Sequence, residues 1–154
     1  MLAATGTGEN IMTKTPIHLW IVGIVSLLWN AGGAVDYFMT RTGAAEYMAA
    51  QPPERLAMLQ DAPLWFGFTW GLGVWMSVIG SLLLLARSRF AGAAFVLSLV
   101  GLIGSSIYTY GIADGGSMVA AAGMAAIAFS VAIPLILVLL WIYARAMTRR
   151  GVLR

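Results

Sequence analysis

Four runs of apolar residues, each about twenty residues long, alternate with short polar segments along this chain. A helix of about twenty residues rises about 30 Å, which matches the hydrocarbon core of a bilayer. The runs therefore predict four membrane-spanning helices, over residues of about 16–38, 64–86, 90–110 and 118–144. The fold class that we expect is all-α, an integral membrane four-helix bundle.

The one long connection, between the first and second runs, predicts a small helical cap. Residues 43–50 favour a short helix, which a Pro-Pro pair ends. Pro53 suits the first turn of a second helix and Glu54 then lies near its positive end, so we expect a helix over Pro53–Leu59. The other two connections are turns of a few residues, so consecutive spans must run antiparallel.

The segments outside the runs differ in character. Residues 1–13 are small and polar without periodicity and are predicted to be disordered, residues 14–150 form the four-span domain, and residues 145–154 form a basic tail. A cleaved signal peptide is the alternative interpretation of the first run, because small residues at Ala31–Ala34 resemble a cleavage site. The run is long for such a signal, which favours a retained span.

The composition requires lipid as the solvent and excludes several kinds of site. Hydrophobic residues make up 60% of the 154 residues and charged residues 10%, whereas soluble domains are about 25% charged. The absence of cysteine excludes disulfides, thiolate metal sites and cysteine nucleophiles, and a single histidine excludes a histidine cluster. We expect no metal, no cofactor and no enzymatic activity.

The charges predict an orientation. Basic residues concentrate on one side of the predicted bundle, and acidic residues concentrate on the other, where only Arg41 and Arg55 are basic. An excess of lysine and arginine marks the cytoplasmic side, so both termini are expected in the cytoplasm of a bacterial inner membrane. The net charge of +3 is thus explained without nucleic acid, and the tail arginines are expected to attract anionic lipid headgroups. The basic residues of that side are Lys14, Arg87, Arg89, Arg145, Arg149, Arg150 and Arg154.

Small residues at three- and four-residue steps predict which faces turn inward. Lipid gives little hydrophobic push between helices, so the close approach of small side chains supplies the attraction. In run order these residues are Ser26, Asn30, Gly33 and Tyr37; Gly67, Gly71, Gly73, Ser77 and Ser81; Ala94, Ser98, Gly101 and Ser105; and Ala122, Ala126 and Ser130.

The stretch from Trp29 to Tyr37 carries the candidate chemistry. An amide inside hydrocarbon is costly, so Asn30 is expected to bond to Ser77, Ser105 or a backbone carbonyl, or else to contact a substrate. Asp36 is expected to be hydrated or hydrogen-bonded near the end of its helix; a proton-coupling role would need a deeper position. Most aromatic residues fit interfacial belts, but three tryptophans lie deeper, and an indole N–H prefers a partner. The candidate solute or packing site is Trp29, Asn30, Asp36, Tyr37, Trp70 and Trp75.

Several of these positions also carry a family resemblance. They are Lys14-Thr15-Pro16, Trp29-Asn30, Gly33 to Asp36-Tyr37, Thr40, Thr42, Trp75, Gly80 to Leu85, Arg87 and Ser98. With these residues the chain resembles small inner-membrane proteins of alphaproteobacteria, some of which are named sugar transporters. The resemblance implies an inner-membrane location and a four-span topology, and it supplies no functional residues.

Three functional hypotheses follow. The first is an accessory or scaffold protein bound to a larger membrane complex or to further copies of itself. The second is a transporter of a small solute, such as a sugar, that works as an oligomer around the candidate site. The third is an enzyme acting on a lipid or a quinone, which needs converging ionisable groups.

Overall fold

A computed structural model describes residues 15–154. The segment predicted to be disordered, and Lys14, lie outside the described residues. In chain order the helices are α1 (Ile17–Thr42), α2 (Ala45–Ala49), α3 (Pro53–Gln60), α4 (Leu64–Leu85), α5 (Ala91–Ser106, continued by a π-helical segment over Ile107–Ile112), α6 (Gly115–Ala121) and α7 (Met124–Arg149).

Four of these helices are long and apolar enough to cross a membrane: α1, α4, α5 with its π-helical continuation, and α7. This confirms the all-α four-helix architecture and indicates a multi-pass membrane protein. α4 packs most extensively on α5, and it also packs on α1, while α7 packs on α5. The two short helices α2 and α3 form the predicted cap between the first and second spans.

The start of the fourth span differs from the prediction. The helical pattern was expected to run from about Met118, but the chain breaks at Gly123 and the long helix begins at Met124. Gly123 has φ +92°, a backbone conformation that L side chains rarely adopt. The residues before the break form the separate helix α6.

α4 and α5 approach each other so closely that a glycine is required on α5. A Cβ placed on Gly101 would lie 2.6 Å from the carbonyl oxygen of Thr69 and closer still to the backbone nitrogen of Gly73. The hydroxyl of Ser98 donates a 2.6 Å hydrogen bond to the carbonyl of Gly73. The small-residue faces predicted for these two helices do turn inward, and the residues buried are Gly67, Gly71, Ser77, Ser81, Ala94, Ser98, Gly101 and Ser105.

The inward face predicted for the fourth span is only partly buried. Ala122 is exposed, and Ala126 and Ser130 are only partly buried. The second half of α7 instead carries larger side chains that pack into the hydrophobic core of the bundle. The buried residues of α7 are Leu137, Leu140, Ala144 and Met147. On α1, Gly33 is also exposed, contrary to its predicted inward position.

The two ends of the bundle have different characters. At the end that carries the arginine-rich segments, which we call the basic end, the backbone N–H of Arg89 donates to a backbone oxygen of Arg154, and the N–H of Arg154 donates to the carbonyl of Arg87. Val152 and Leu153 are buried beside this pairing. The segment predicted as a basic tail is therefore helical to Arg149 and then folded back on the turn between α4 and α5. The opposite end, which holds α2 and α3, is called the cap end.

Candidate functional site at the cap end

Asp36 is the centre of a polar cluster that joins three helices at the cap end. Its carboxylate accepts two hydrogen bonds from the guanidinium of Arg55 on α3, at 2.7 and 3.0 Å. It also accepts a hydrogen bond from the phenol of Tyr47 on α2. Because both carboxylate oxygens accept hydrogen bonds from side chains of the cap, this cluster fastens the cap to α1.

The environment of Tyr47 favours its neutral form. Burial raises the pKa of the Tyr47 phenol above its ordinary value near 10, and the hydrogen bond to the Asp36 carboxylate and the negative charge of Asp36 raise it further. The positive charge of Arg55 opposes this rise in the pKa without cancelling it. The phenol therefore remains a hydrogen-bond donor to Asp36 throughout the neutral range.

Asn30 makes an interhelical contact of the kind expected from its position. Its side-chain amide donates to the carbonyl of Ser77 at 3.2 Å and to the hydroxyl of Ser81 at 2.9 Å. The Ser81 side chain, which has no solvent exposure, in turn donates to the Ser77 carbonyl at 3.0 Å. The amide thus links α1 to the second half of α4, from a position six residues before Asp36 on α1.

Tyr37 and Trp70 form an aromatic contact between α1 and α4. Their rings are 5.0 Å apart and almost perpendicular, at 80°. The Tyr37 hydroxyl donates to the carbonyl of Gly67 at 3.4 Å, and it occupies the space where a side chain at Gly71 would lie. The absence of a side chain at Gly71 therefore lets Tyr37 lie against α4. Phe66 stacks on Trp70 at 5.7 Å and continues the aromatic cluster towards α5.

The two other predicted site residues lie elsewhere. Trp29 contacts Phe129 on α7, with ring centroids 5.4 Å apart. Trp75 is 43% exposed on the outer surface of α4. Three of the six candidate residues therefore lie at the cap end, where Tyr37 contacts Trp70 and Asp36 contacts the cap. Trp29 and Asn30 make separate contacts, and Trp75 lies on the outer surface of α4.

A cavity of about 210 Å³ lies beside this group, between the last turn of α1, the cap and the first turns of α4. Trp70 and Arg41 line it, as does Thr40, whose buried hydroxyl has no hydrogen-bond partner among the described residues. Arg41 lies against Gly67, where an added Cβ would be 3.2 Å from its guanidinium. The apolar side of the cavity comes from Met48, Leu56, Leu59 and Phe66.

Sequence reasoning missed Tyr47, Arg55 and Thr40 as parts of this end. One signal was available for Arg55: it is one of two basic residues on the side where acidic residues predominate. A basic residue on the predominantly acidic side is expected to have an acidic partner nearby, and Arg55 does form an ion pair with Asp36.

Comparisons with known proteins give no further guide to this site. No family model matches the sequence, and neither a curated protein nor a solved structure is significantly similar to it. The chemistry of the cap end therefore has to be argued from its own residues. A fixed ion pair, a tyrosine donor and an enclosed aromatic contact can hold helices in place, and the adjoining cavity can accommodate a small group.

Proposed function

We propose that the chain is a non-enzymatic accessory or scaffold protein of a bacterial inner membrane. The observation that supports this best is that Asn30, the amide within the first span, bonds to Ser77 and Ser81 on α4. An amide that served a permeating solute would need to be free to exchange partners. Here it acts as a link between two helices, as does the Ser98 hydroxyl bonded to Gly73.

The close contact of α4 with α5 supports the same proposal. Alternating access requires helices that move against one another around a central site. A Cβ at Gly101 would overlap the backbone of α4, so the backbones of α4 and α5 are in direct contact there and leave no room for a solute between them at this point. A rigid bundle with a cap fastened by Asp36 and Arg55 suits a protein that holds others in position.

The proposed orientation places the basic end in the cytoplasm. Arginines surround that end, while the acidic residues of the described chain lie towards the cap end. Because the chain has no cysteine, single cysteines can report on each side without background. A maleimide that does not cross membranes should label Ser117→Cys in intact spheroplasts and label Thr148→Cys only after lysis. The reverse pattern would overturn this orientation.

The accessory role is tested by purifying the full chain in mild detergent and analysing it by native mass spectrometry. We expect a stoichiometric complex with a larger membrane protein. The same protein should crosslink to the chain in intact cells. Asn30→Leu should weaken the bundle but leave the partner bound at temperatures where the variant is folded. A preparation that contains only this chain, with no crosslinked partner in cells, would contradict the proposal.

Transport of a small polar solute by an oligomer is the second candidate, and the cap-end cavity favours it. The unpartnered Thr40 hydroxyl, the Arg41 cation and the Trp70 ring could bind a polar group against an aromatic face. If this candidate holds, Arg41→Gln and Trp70→Leu should abolish uptake of that solute by proteoliposomes while the fold is retained. Unchanged uptake in both variants would eliminate the cavity as its site.

A further inference from the structure

A groove of about 360 Å³ runs between α5 and α7 at the basic end. On the α7 side, Trp141, Arg145 and Arg149 follow one another at four-residue steps, so they lie one above the other on a single face. The guanidinium carbon of Arg145 is 5.7 Å from the centroid of the Trp141 ring, a cation–π contact that holds the cation at the groove. Arg89, just before α5, also lines the groove, and its guanidinium carbon lies 5.2 Å from the centroid of the neighbouring Phe90 ring.

The α5 side of the groove is open and apolar. Gly92 lines it, and a Cβ added to Gly92 would meet no atom within 4 Å. Ala93 and Val96 extend the apolar lining along the helix, and Val96 is 41% exposed. The groove therefore has cations where it lies nearest to the tip of the bundle, and an apolar strip leads from them towards the membrane interior.

The three arginines of the groove have no acidic partner among residues 15–154. The ion pair found in that part of the chain joins Arg55 to Asp36, at the other end of the bundle. The acidic side chains of the described residues follow the same division, since all belong to the last turns of α1, the cap segment or the turn before α6: Asp36, Glu46, Glu54, Asp61 and Asp114. Positive charges that line one groove repel one another, and an anion bound in the groove would relieve that repulsion.

We propose that this groove binds the headgroup of an anionic phospholipid. Guanidinium groups form paired hydrogen bonds with phosphate oxygens, which is the geometry that arginine favours. Arg89, Arg145 and Arg149 then surround the phosphate, and the acyl chains follow the strip of Ala93 and Val96. A lipid fits better than a soluble anion because the cations and the apolar strip are continuous in one groove. This proposal does not depend on the accessory role.

The test compares two double variants that remove the same number of positive charges, one from inside the groove and one from outside it. The double variant Arg145→Gln/Arg149→Gln removes two positive charges that line the groove, and Arg150→Gln/Arg154→Gln removes two that do not. The full chain is purified in mild detergent, exchanged with vesicles of phosphatidylcholine containing phosphatidylglycerol, and examined by native mass spectrometry for retained lipid. We expect phosphatidylglycerol retention to fall roughly tenfold or more in the groove variant, which loses its paired hydrogen bonds to the phosphate, and to change little in the control.

A variant without a change of charge makes the test independent of general electrostatics. Gly92→Leu fills the groove from the α5 side, where there is open space, and should also reduce phosphatidylglycerol retention. Equal losses in the two double variants would show a diffuse attraction to the arginine-rich segment and overturn the proposal. Equal retention of phosphatidylcholine, or displacement of the lipid by millimolar inorganic phosphate, would overturn it as well. Thermal unfolding of each variant confirms that it is folded at the temperature of the measurement.

Discussion

Asp36 on α1 and Arg55 on α3 form a salt bridge with a closest nitrogen–oxygen distance of 2.7 Å, although the two residues are separated by the whole of α2. Each side chain keeps about a third of its exposure, at 34% for Asp36 and 32% for Arg55. The pair therefore fixes the position of the cap while remaining in contact with water. Its strength should be that of a partly screened pair with several hydrogen bonds, not that of a fully buried one.

Removing this salt bridge should loosen the cap without unfolding the bundle. In Arg55→Met, amide hydrogen exchange in α2 and α3 should accelerate about fivefold, which corresponds to the loss of about 1 kcal/mol. Exchange in the middle of α4 and α5 should stay unchanged. The charge-reversed double variant Asp36→Arg/Arg55→Asp should recover part of the protection. Equal acceleration in all helices would show that the pair supports the whole bundle.

Tyr47 should titrate above its ordinary pKa while the cap is docked. The docked cap raises the pKa of the Tyr47 phenol, so the neutral phenol stabilises the docked state. This stabilisation is fully present below a pH of about 10, and it is lost as the pH rises through the higher pKa of the docked state. Absorbance titration near 295 nm, with Tyr47→Phe as the blank, should therefore place its ionisation above pH 10. In Asp36→Asn the pKa should fall, because the negative charge that discourages the phenolate is gone. An ionisation at or below pH 10 in the unaltered chain would contradict this assignment.

The link from Asn30 to Ser81 should contribute a modest amount to stability. Interhelical hydrogen bonds in membranes contribute about 0.6 kcal/mol on average and up to about 2 kcal/mol. We expect Asn30→Leu and Ser81→Ala each to lower the unfolding temperature in detergent, and the double variant to cost less than the sum of the two single changes. Strict additivity of the two changes in unfolding free energy would show that the side chains do not interact.

Substitution of two glycines on α5 by alanine should change the stability of the bundle in opposite directions. Gly101→Ala forces a methyl group into the backbone of α4, so it should destabilise the bundle by about 2 kcal/mol or more. Gly92→Ala meets open space and should be neutral or slightly stabilising, because alanine favours the helix by up to about 1 kcal/mol. Thermal unfolding of both variants in the same detergent gives the comparison. A similar tolerance at both positions would mean that α4 and α5 are not in close contact.

The parts of the fold that could be predicted depend on strong, local signals. Apolar length predicts the four spans, and the spacing of Ser98, Gly101 and Ser105 predicts which face of α5 is buried, because close packing in lipid selects small residues. The break at Gly123 could not be predicted in this way. Its neighbours are as apolar as a span, and the sequence alone does not show that this glycine adopts a positive φ.

The candidate site was predicted only in part, for a different physical reason. Asn30 and Tyr37 lie on the inward face of α1, which helical periodicity predicts, although it does not decide between Ser77 and Ser105 as the partner of Asn30. The pairing of Asp36 with Tyr47 and Arg55 depends on how the chain turns after α1, and periodicity within one helix contains no information about that turn. The cavity beside Thr40 is likewise a product of where the cap comes to rest.

The length of α1 has a consequence for how the protein responds to different bilayers. Its 26 residues extend about 39 Å, roughly 9 Å more than a typical hydrocarbon core, so the helix must project or tilt. Asp36 is six residues from the C-terminal end of α1, at Thr42, so the depth of its charge depends on how far this end of the helix projects. A thicker bilayer would bring the charged pair nearer to hydrocarbon, where opposite charges attract more strongly but taking each charge out of water costs more. Membrane thickness would thereby set how firmly the cap is held.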